Sequence, residues 1–158
     1  MVLFASALLA SPAHAQYGLA VGDRAPSVII NDLEGTPFDF SEVLGRKPAF
    51  IQFWATWCSL CEALLPHVQA AAAQYGDELV FVGVNVTVNQ SAARVRRYLE
   101  QHRPPFRTLW DDRGVAVRAY EVPGTSYIVI VDREGKVAYT GIGEDQDLAP
   151  VLRKVVGR

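Results

Sequence analysis

Two cysteines, Cys58 and Cys61, are the only thiols in this 158-residue chain. They stand as Cys58-Ser59-Leu60-Cys61, and a C-x-x-C pair serves either metal ligation or dithiol–disulfide exchange. A zinc site takes about four ligands. The chain has no third cysteine, and His67 and His102 stand at no zinc-ligand spacing from the pair. Redox exchange is the chemistry that two thiols at this spacing can carry alone, with no cofactor. A purely structural bridge is the weaker reading, because so short a loop removes little chain entropy.

The context of the motif gives it its meaning. Ala49 to Trp54 is a short, mostly apolar run after Pro48, suited to a buried strand. From Ser59 the period changes: Leu60, Leu64, Val68, Ala71, Ala72 and Tyr75 recur at helical spacing until Gly76. Cys58 therefore sits at a helix N-terminus, where unpaired amides and the helix dipole favour a thiolate. Cysteines so placed have pKa values lowered to about 3.5–7.5, and the thiolate is the attacking species in exchange. Cys61 lies one turn on and is expected to be the more buried, resolving thiol. Trp57 precedes the motif as either an exposed apolar contact for a partner or a partly packed side chain. Pro66 inside the helix is expected to kink it.

The other elements follow the same reading. Val28 to Ile30 and Pro37 to Phe40 flank Asp32-Leu33-Glu34-Gly35 as a β-hairpin, and Ser41 is expected to cap a helical turn over Glu42 to Leu44. Leu79 to Val86, Phe106 to Leu109, Tyr127 to Val131 and Val137 to Thr140 read as strands. Ser91 to His102, Arg113 to Tyr120 and Asp147 to Val156 read as helices. Strands alternate with helices and end in a hairpin and a helix. That is an α/β, three-layer sandwich with a central mixed sheet flanked by helices and an N-terminal β-hairpin.

Composition bounds the rest. A length near 150 residues suits one domain, which can bury roughly 70 % of its unfolded surface without disulfide staples. The net charge is −2, and the arginines between Arg94 and Arg118 are diluted by Glu100, Asp111 and Asp112, so no basic face for nucleic acid is expected. Residues 1–15 are read as a signal peptide: Val2 to Ala10 is apolar, and Ala13-His14-Ala15 suits a signal peptidase, although no Lys or Arg precedes the run. Residues 16–158 would then form the domain, exported to a periplasmic or secreted location where disulfides persist, with no membrane insertion of the mature chain.

The segment Phe53-Trp54-Ala55-Thr56-Trp57-Cys58-Ser59-Leu60-Cys61 resembles the active-site block of TlpA/ResA-type thioredoxin-like proteins. Val21-Gly22-Asp23-Arg24-Ala25-Pro26 and Val131-Asp132-Arg133-Glu134-Gly135-Lys136 resemble two further segments of that family, so the resemblance covers nearly all the chain from about Gly22. It implies a thioredoxin fold and extracytoplasmic thiol–disulfide exchange on protein disulfides. It also implies reductase direction, with recharging by a membrane-bound electron donor. In this fold Trp57, Thr125 and Ser126 would line the substrate groove, the backbone of Thr125 pairing with an extended substrate segment.

Two positions depart from the family pattern. Ser126 stands where a cis-proline ordinarily faces the cysteines. A cis bond before a non-proline residue costs about 2.5–4 kcal/mol, so the Thr125–Ser126 bond is expected to be trans. The Ser126 hydroxyl would be free to bond a cysteine sulfur or a bound group. Leu64 stands where many members carry a buried glutamate, leaving Cys61 harder to deprotonate. Ala55 occupies the threonine position of a peroxidatic cysteine motif, which argues against peroxidase chemistry. A metal-binding or copper-handling module using Cys58 and Cys61 is the alternative from a binding class, since soft thiolates suit Cu(I). A redox-inert partner-binding domain is the third reading.

Overall fold

The computed structural model describes residues 18–158. The expected leader, residues 1–15, lies outside the described residues. Strands β1 (Ile29–Asp32), β2 (Pro37–Asp39), β3 (Ala49–Trp54), β4 (Val80–Asn85), β5 (Arg107–Trp110), β6 (Tyr127–Val131) and β7 (Val137–Gly141) form one sheet in the order β2-β1-β5-β4-β3-β6-β7. The β3–β4 and β4–β5 pairs are parallel and the rest antiparallel. Helices are α1 (Ser59–Tyr75), α2 (Ala92–His102), α3 (Val115–Ala119) and α4 (Ala149–Val156). The hairpin, the mixed sheet and the three layers agree with the sequence reading.

Strand β3 is central, and all six of its side chains are buried. Its alternation divides the core. Ala49, Ile51 and Phe53 point to the layer holding α3 and the N-terminal segment, where Phe40, Ala116 and Tyr120 pack. Phe50 packs on the other face with Leu64 and Val68 of α1 and Leu152 of α4. Trp54, the last residue of β3, stacks near Tyr98 of α2 and Phe106, with ring centroids 5.3 and 5.7 Å away. Both parallel crossovers therefore put their helices, α1 and α2, on this second face, as right-handed connections require.

Local differences have local causes. The turn after β2 is a 3₁₀ turn over Phe40–Glu42, capped by Asp39, whose carboxylate accepts from the Ser41 amide at 2.8 Å; Ser41 is not the cap. Helix α1 continues through Pro66, which lies on its exposed side. Ser91 caps α2 as its position suggests, accepting from the Arg94 amide at 3.2 Å.

The segment entering β6 is bent to reach the sheet. The Thr125–Ser126 bond is trans, as expected, and Ser126 takes a left-handed φ of +64°. Its amide donates to the Phe53 carbonyl at 2.9 Å, one step beyond the Phe53–Tyr127 register pair. The Ser126 hydroxyl donates to the Gly143 carbonyl at 2.8 Å, and Gln146 Nε2 donates to the carbonyls of Ser126 (3.1 Å) and Gly143 (2.7 Å). The loop after β7 is thereby bound to the segment before β6.

Two substitutions test these constraints. Gly83 lies in the middle of β4, and a Cβ there would sit 2.2 Å from the Phe106 ring. Gly83→Ala must displace that ring from Trp54 and is expected to cost about 1–3 kcal/mol in urea unfolding of the oxidised protein, the usual cost of overpacking. Ser126→Pro, which restores the family residue, meets a φ of the wrong sign and deletes the bond to Phe53. It is expected to destabilise by more than about 1 kcal/mol on the same measurement.

Candidate active site

The strand-to-helix junction between β3 and α1 places both cysteines. Cys58 is the N-cap of α1, with extended backbone, and its sulfur accepts from the Cys61 amide at 3.1 Å. The two residues are joined as a disulfide, with Cα atoms 5.2 Å apart. The expected contrast in burial is absent in this oxidised form: Cys58 is 6 % exposed and Cys61 5 %. Both cysteines lie in the same apolar cluster. That cluster contains Trp54, Ala55 and Val95, with Val86, Tyr98 and Leu99 around it.

The buried neighbours of the disulfide are apolar. Leu64 is fully buried among Phe50, Val68 and Ile128, so the position of the family glutamate is part of the hydrocarbon core. Glu62 is exposed. Burial and the Glu62 carboxylate together push the Tyr98 hydroxyl above its ordinary range. The Trp54 indole N–H is buried and has no hydrogen-bond partner among the described residues. No group of three His, Cys, Asp or Glu side chains suited to a metal occurs among the described residues.

Exposed apolar side chains collect near the disulfide. Six large hydrophobic side chains are exposed among the described residues, and four of them, Trp57, Leu60, Val88 and Ile142, belong to this end of the sheet. Trp57 is half-exposed, and its indole N–H donates to the Val88 carbonyl at 2.7 Å. Leu60 lies between the cysteines. Ile142 follows β7 and lies against Gly124, where an added Cβ would be 3.4 Å from its Cδ1.

The sequence-predicted groove residues divide. Trp57 is presented to solvent, and Thr125 is half-buried, two residues before β6 at the same end of the sheet. Ser126 does not line a groove: it is fully buried, and its hydroxyl is spent on Gly143 rather than on a sulfur. Sequence reasoning missed Val88, Ile142 and Gln146 at this end of the sheet. Their positions depend on loops whose conformation only the tertiary contacts fix. The cluster of apolar residues outside any periodic element (Val88, Ile142) was the one available signal.

Comparison with known proteins agrees with this geometry. Residues 20–155 match the family model described as Redoxin. The thiol-disulfide oxidoreductase ResA of Bacillus anthracis is 26 % identical over 139 residues, covering 87 % of this chain and 79 % of that protein. The thioredoxin-like protein YneN of Bacillus subtilis is 28 % identical over 129 residues, covering 81 % and 75 %. A crystal structure from Chlorobium tepidum, described as a thiol:disulfide interchange protein DsbE, superposes with a TM-score of 0.78 at 26 % identity, covering 88 % of this chain and 99 % of that one. A C-x-x-C disulfide at the N-cap of the helix after a central parallel strand, within a match spanning nearly all the described residues, makes this chain a member of the Redoxin family and a TlpA/ResA-like thioredoxin-fold thiol–disulfide oxidoreductase.

Proposed function

We propose that the protein is an extracytoplasmic disulfide reductase in which Cys58 is the nucleophile and Cys61 the resolving thiol. The observation that carries the assignment of roles is the Cys61 amide pointing at the Cys58 sulfur across the first turn of α1. An N-cap sulfur gains from that donor and from the positive end of the helix, and both favour its thiolate.

In the reduced form the Cys58 thiolate attacks one sulfur of a protein disulfide. A mixed disulfide forms and a substrate thiolate leaves. With Leu64 in place of a carboxylate, the departing thiolate takes the proton of the Cys61 thiol. Cys61 then attacks the Cys58 sulfur and releases the second substrate thiolate. The protein is left with the Cys58–Cys61 disulfide, and two electrons have passed to the substrate. A dithiol donor must return them; a membrane-bound donor fits the family resemblance.

The reductase direction rests on the surroundings of the sulfurs. A strong oxidant has its reduced, thiolate form stabilised by its environment. Here the sulfurs lie among Trp54, Ala55, Val86, Val95 and Leu99, and the N-cap amide is the stabilising contact. Exposed Trp57, Leu60, Val88 and Ile142 suit an extended, apolar polypeptide segment around the target disulfide. The exported location rests on the apolar run before Ala13-His14-Ala15.

Cys58→Ser is expected to lower turnover of a protein disulfide by several orders of magnitude, as loss of a nucleophile does. Cys61→Ser is expected to trap a stoichiometric mixed disulfide, visible by mass spectrometry of the unreduced mixture. A Cys58→Ser protein that still turns over insulin at the wild-type rate refutes the assignment. Equilibration with thiol buffers of known poise should place the Cys58–Cys61 couple nearer thioredoxin's value of about −270 mV than DsbA's of about −120 mV. A value at the DsbA end reverses the direction.

A further inference from the structure

We infer that Gln90, a residue with no redox chemistry of its own, is the positioning residue that holds the Trp57 wall of the site for a polypeptide substrate. The inference rests on the disulfide-exchange reading and adds a substrate-specificity role outside the C-x-x-C motif.

All four hydrogen-bonding places of the Gln90 side-chain amide are taken. Its Oε1 accepts from the Thr56 amide at 2.9 Å and from Asn85 Nδ2 at 3.4 Å. Its Nε2 donates to Thr56 Oγ1 at 3.0 Å and to the Asn89 carbonyl at 2.9 Å. The Thr56 amide can only donate, so the oxygen must face it, which fixes the orientation of the side chain. Thr56 is therefore gripped at both backbone and side chain by a residue 34 positions along the chain. It lies between Ala55, the buried residue that follows β3, and Trp57.

The same loop holds the other end of Trp57. Val88, two residues before Gln90, accepts the indole N–H at 2.7 Å. The loop is itself costly to shape. Thr87 and Asn89 have left-handed φ values of 60° and 52°, which non-glycine residues seldom adopt. Residues in such conformations persist only where the surroundings over-determine them. Here the fully buried Asn85 supplies Oδ1 to the Thr87 amide at 3.0 Å, and Thr87 Oγ1 donates to the Asp111 carbonyl at 3.2 Å. A loop strained at two residues and braced from β4 and from the end of β5 presents one glutamine to Thr56 and one carbonyl to Trp57.

The consequence is a preformed apolar wall. Trp57 and Val88 are both exposed, so neither is held by core packing alone. Without Gln90, Thr56 turns to water for its bonds and the Thr56–Trp57 segment gains freedom that substrate binding must then remove. A polypeptide disulfide that lies against the wall feels this loss. A small disulfide that reaches Cys58 without touching Trp57 feels it far less.

The test compares reduced wild type with Gln90→Met, which keeps the volume and loses the bonds, and with Gln90→Asn, which keeps the amide but is one methylene short. Each is assayed on insulin and on hydroxyethyl disulfide. The ratio of kcat/KM for insulin to that for the small disulfide is expected to fall on the order of tenfold, below the roughly hundredfold that misplacing a catalytic group costs. The fall should lie in KM, with little change in kcat. In parallel, hydrogen exchange of the Trp57 indole N–H, read by NMR, is expected to quicken several-fold in both variants. A ratio equal to wild type, or a fall carried by kcat alone, overturns the inference. If wild type is inactive toward both disulfides, the exchange reading fails, and unchanged indole exchange in the variants then separately refutes the positioning role.

Discussion

The molecule is organised by what happens where β3 stops. A fully buried strand, paired on both sides, must deliver the chain to a helix that covers the same sheet. The turn between them leaves the first helical amides without intrahelical partners. Cys58 occupies the cap, and its sulfur takes one of those amides. Ser, Thr, Asp or Asn ordinarily does this work with an oxygen. Using sulfur instead turns a structural duty into a chemical one. The donor that ends the helix is also the donor that favours a thiolate, and the helical turn that begins there brings Cys61 within bonding reach.

The remaining elements can be read as support for that junction. On one side, α2 and β5 bring Tyr98 and Phe106 against Trp54, so the strand end is walled by aromatic rings. Gly83 makes room for this, since any side chain there would collide with Phe106. On the other side, β6 pairs with β3 up to Phe53, and Ser126 adds one more bond to the same residue. The family's proline would impose a negative φ at this point. This chain instead adopts a left-handed serine and ties it to Gly143 and Gln146. The segment entering β6 is held by hydrogen bonds to the loop after β7.

Much of this was legible in the sequence, and the boundary of legibility is physical. The buried strand, the helix that follows and the N-cap cysteine are local: periodicity and capping chemistry specify them over about twenty residues. Tyr127 to Val131 was readable for the same reason, being a continuous apolar run. The roles of Gln90, Gln146 and Ser126 were not, because each bonds to a residue distant in sequence, and a polar side chain in a loop carries no periodic signal. Ser126 shows the difference most clearly. Its identity announced a departure from the family, but only the path of the 141–146 loop determined that the hydroxyl would face Gly143 rather than a sulfur. The Asp39 cap misread as Ser41 is a smaller instance, since two adjacent capping residues compete and the backbone turn decides between them.

The two departures from the family pattern are linked by where each places its polar groups. Leu64 completes the contact between α1 and Phe50 and Ile128. Ser126 adds a hydroxyl, but that hydroxyl is fully used within the scaffold. The net result is a disulfide whose surroundings are nearly all hydrocarbon and aromatic, with the Cys61 amide as the designed polar contact to sulfur. With Cys58 as the proposed nucleophile, the polar contact that would favour its thiolate comes from the backbone of α1. On the proposed function, side chains act on the partner instead: exposed Trp57, Leu60, Val88 and Ile142 offer the apolar surface against which a substrate segment would lie. On that reading reactivity belongs to the strand-to-helix junction, which local backbone geometry builds, and selectivity to the loops that carry Trp57, Val88 and Ile142.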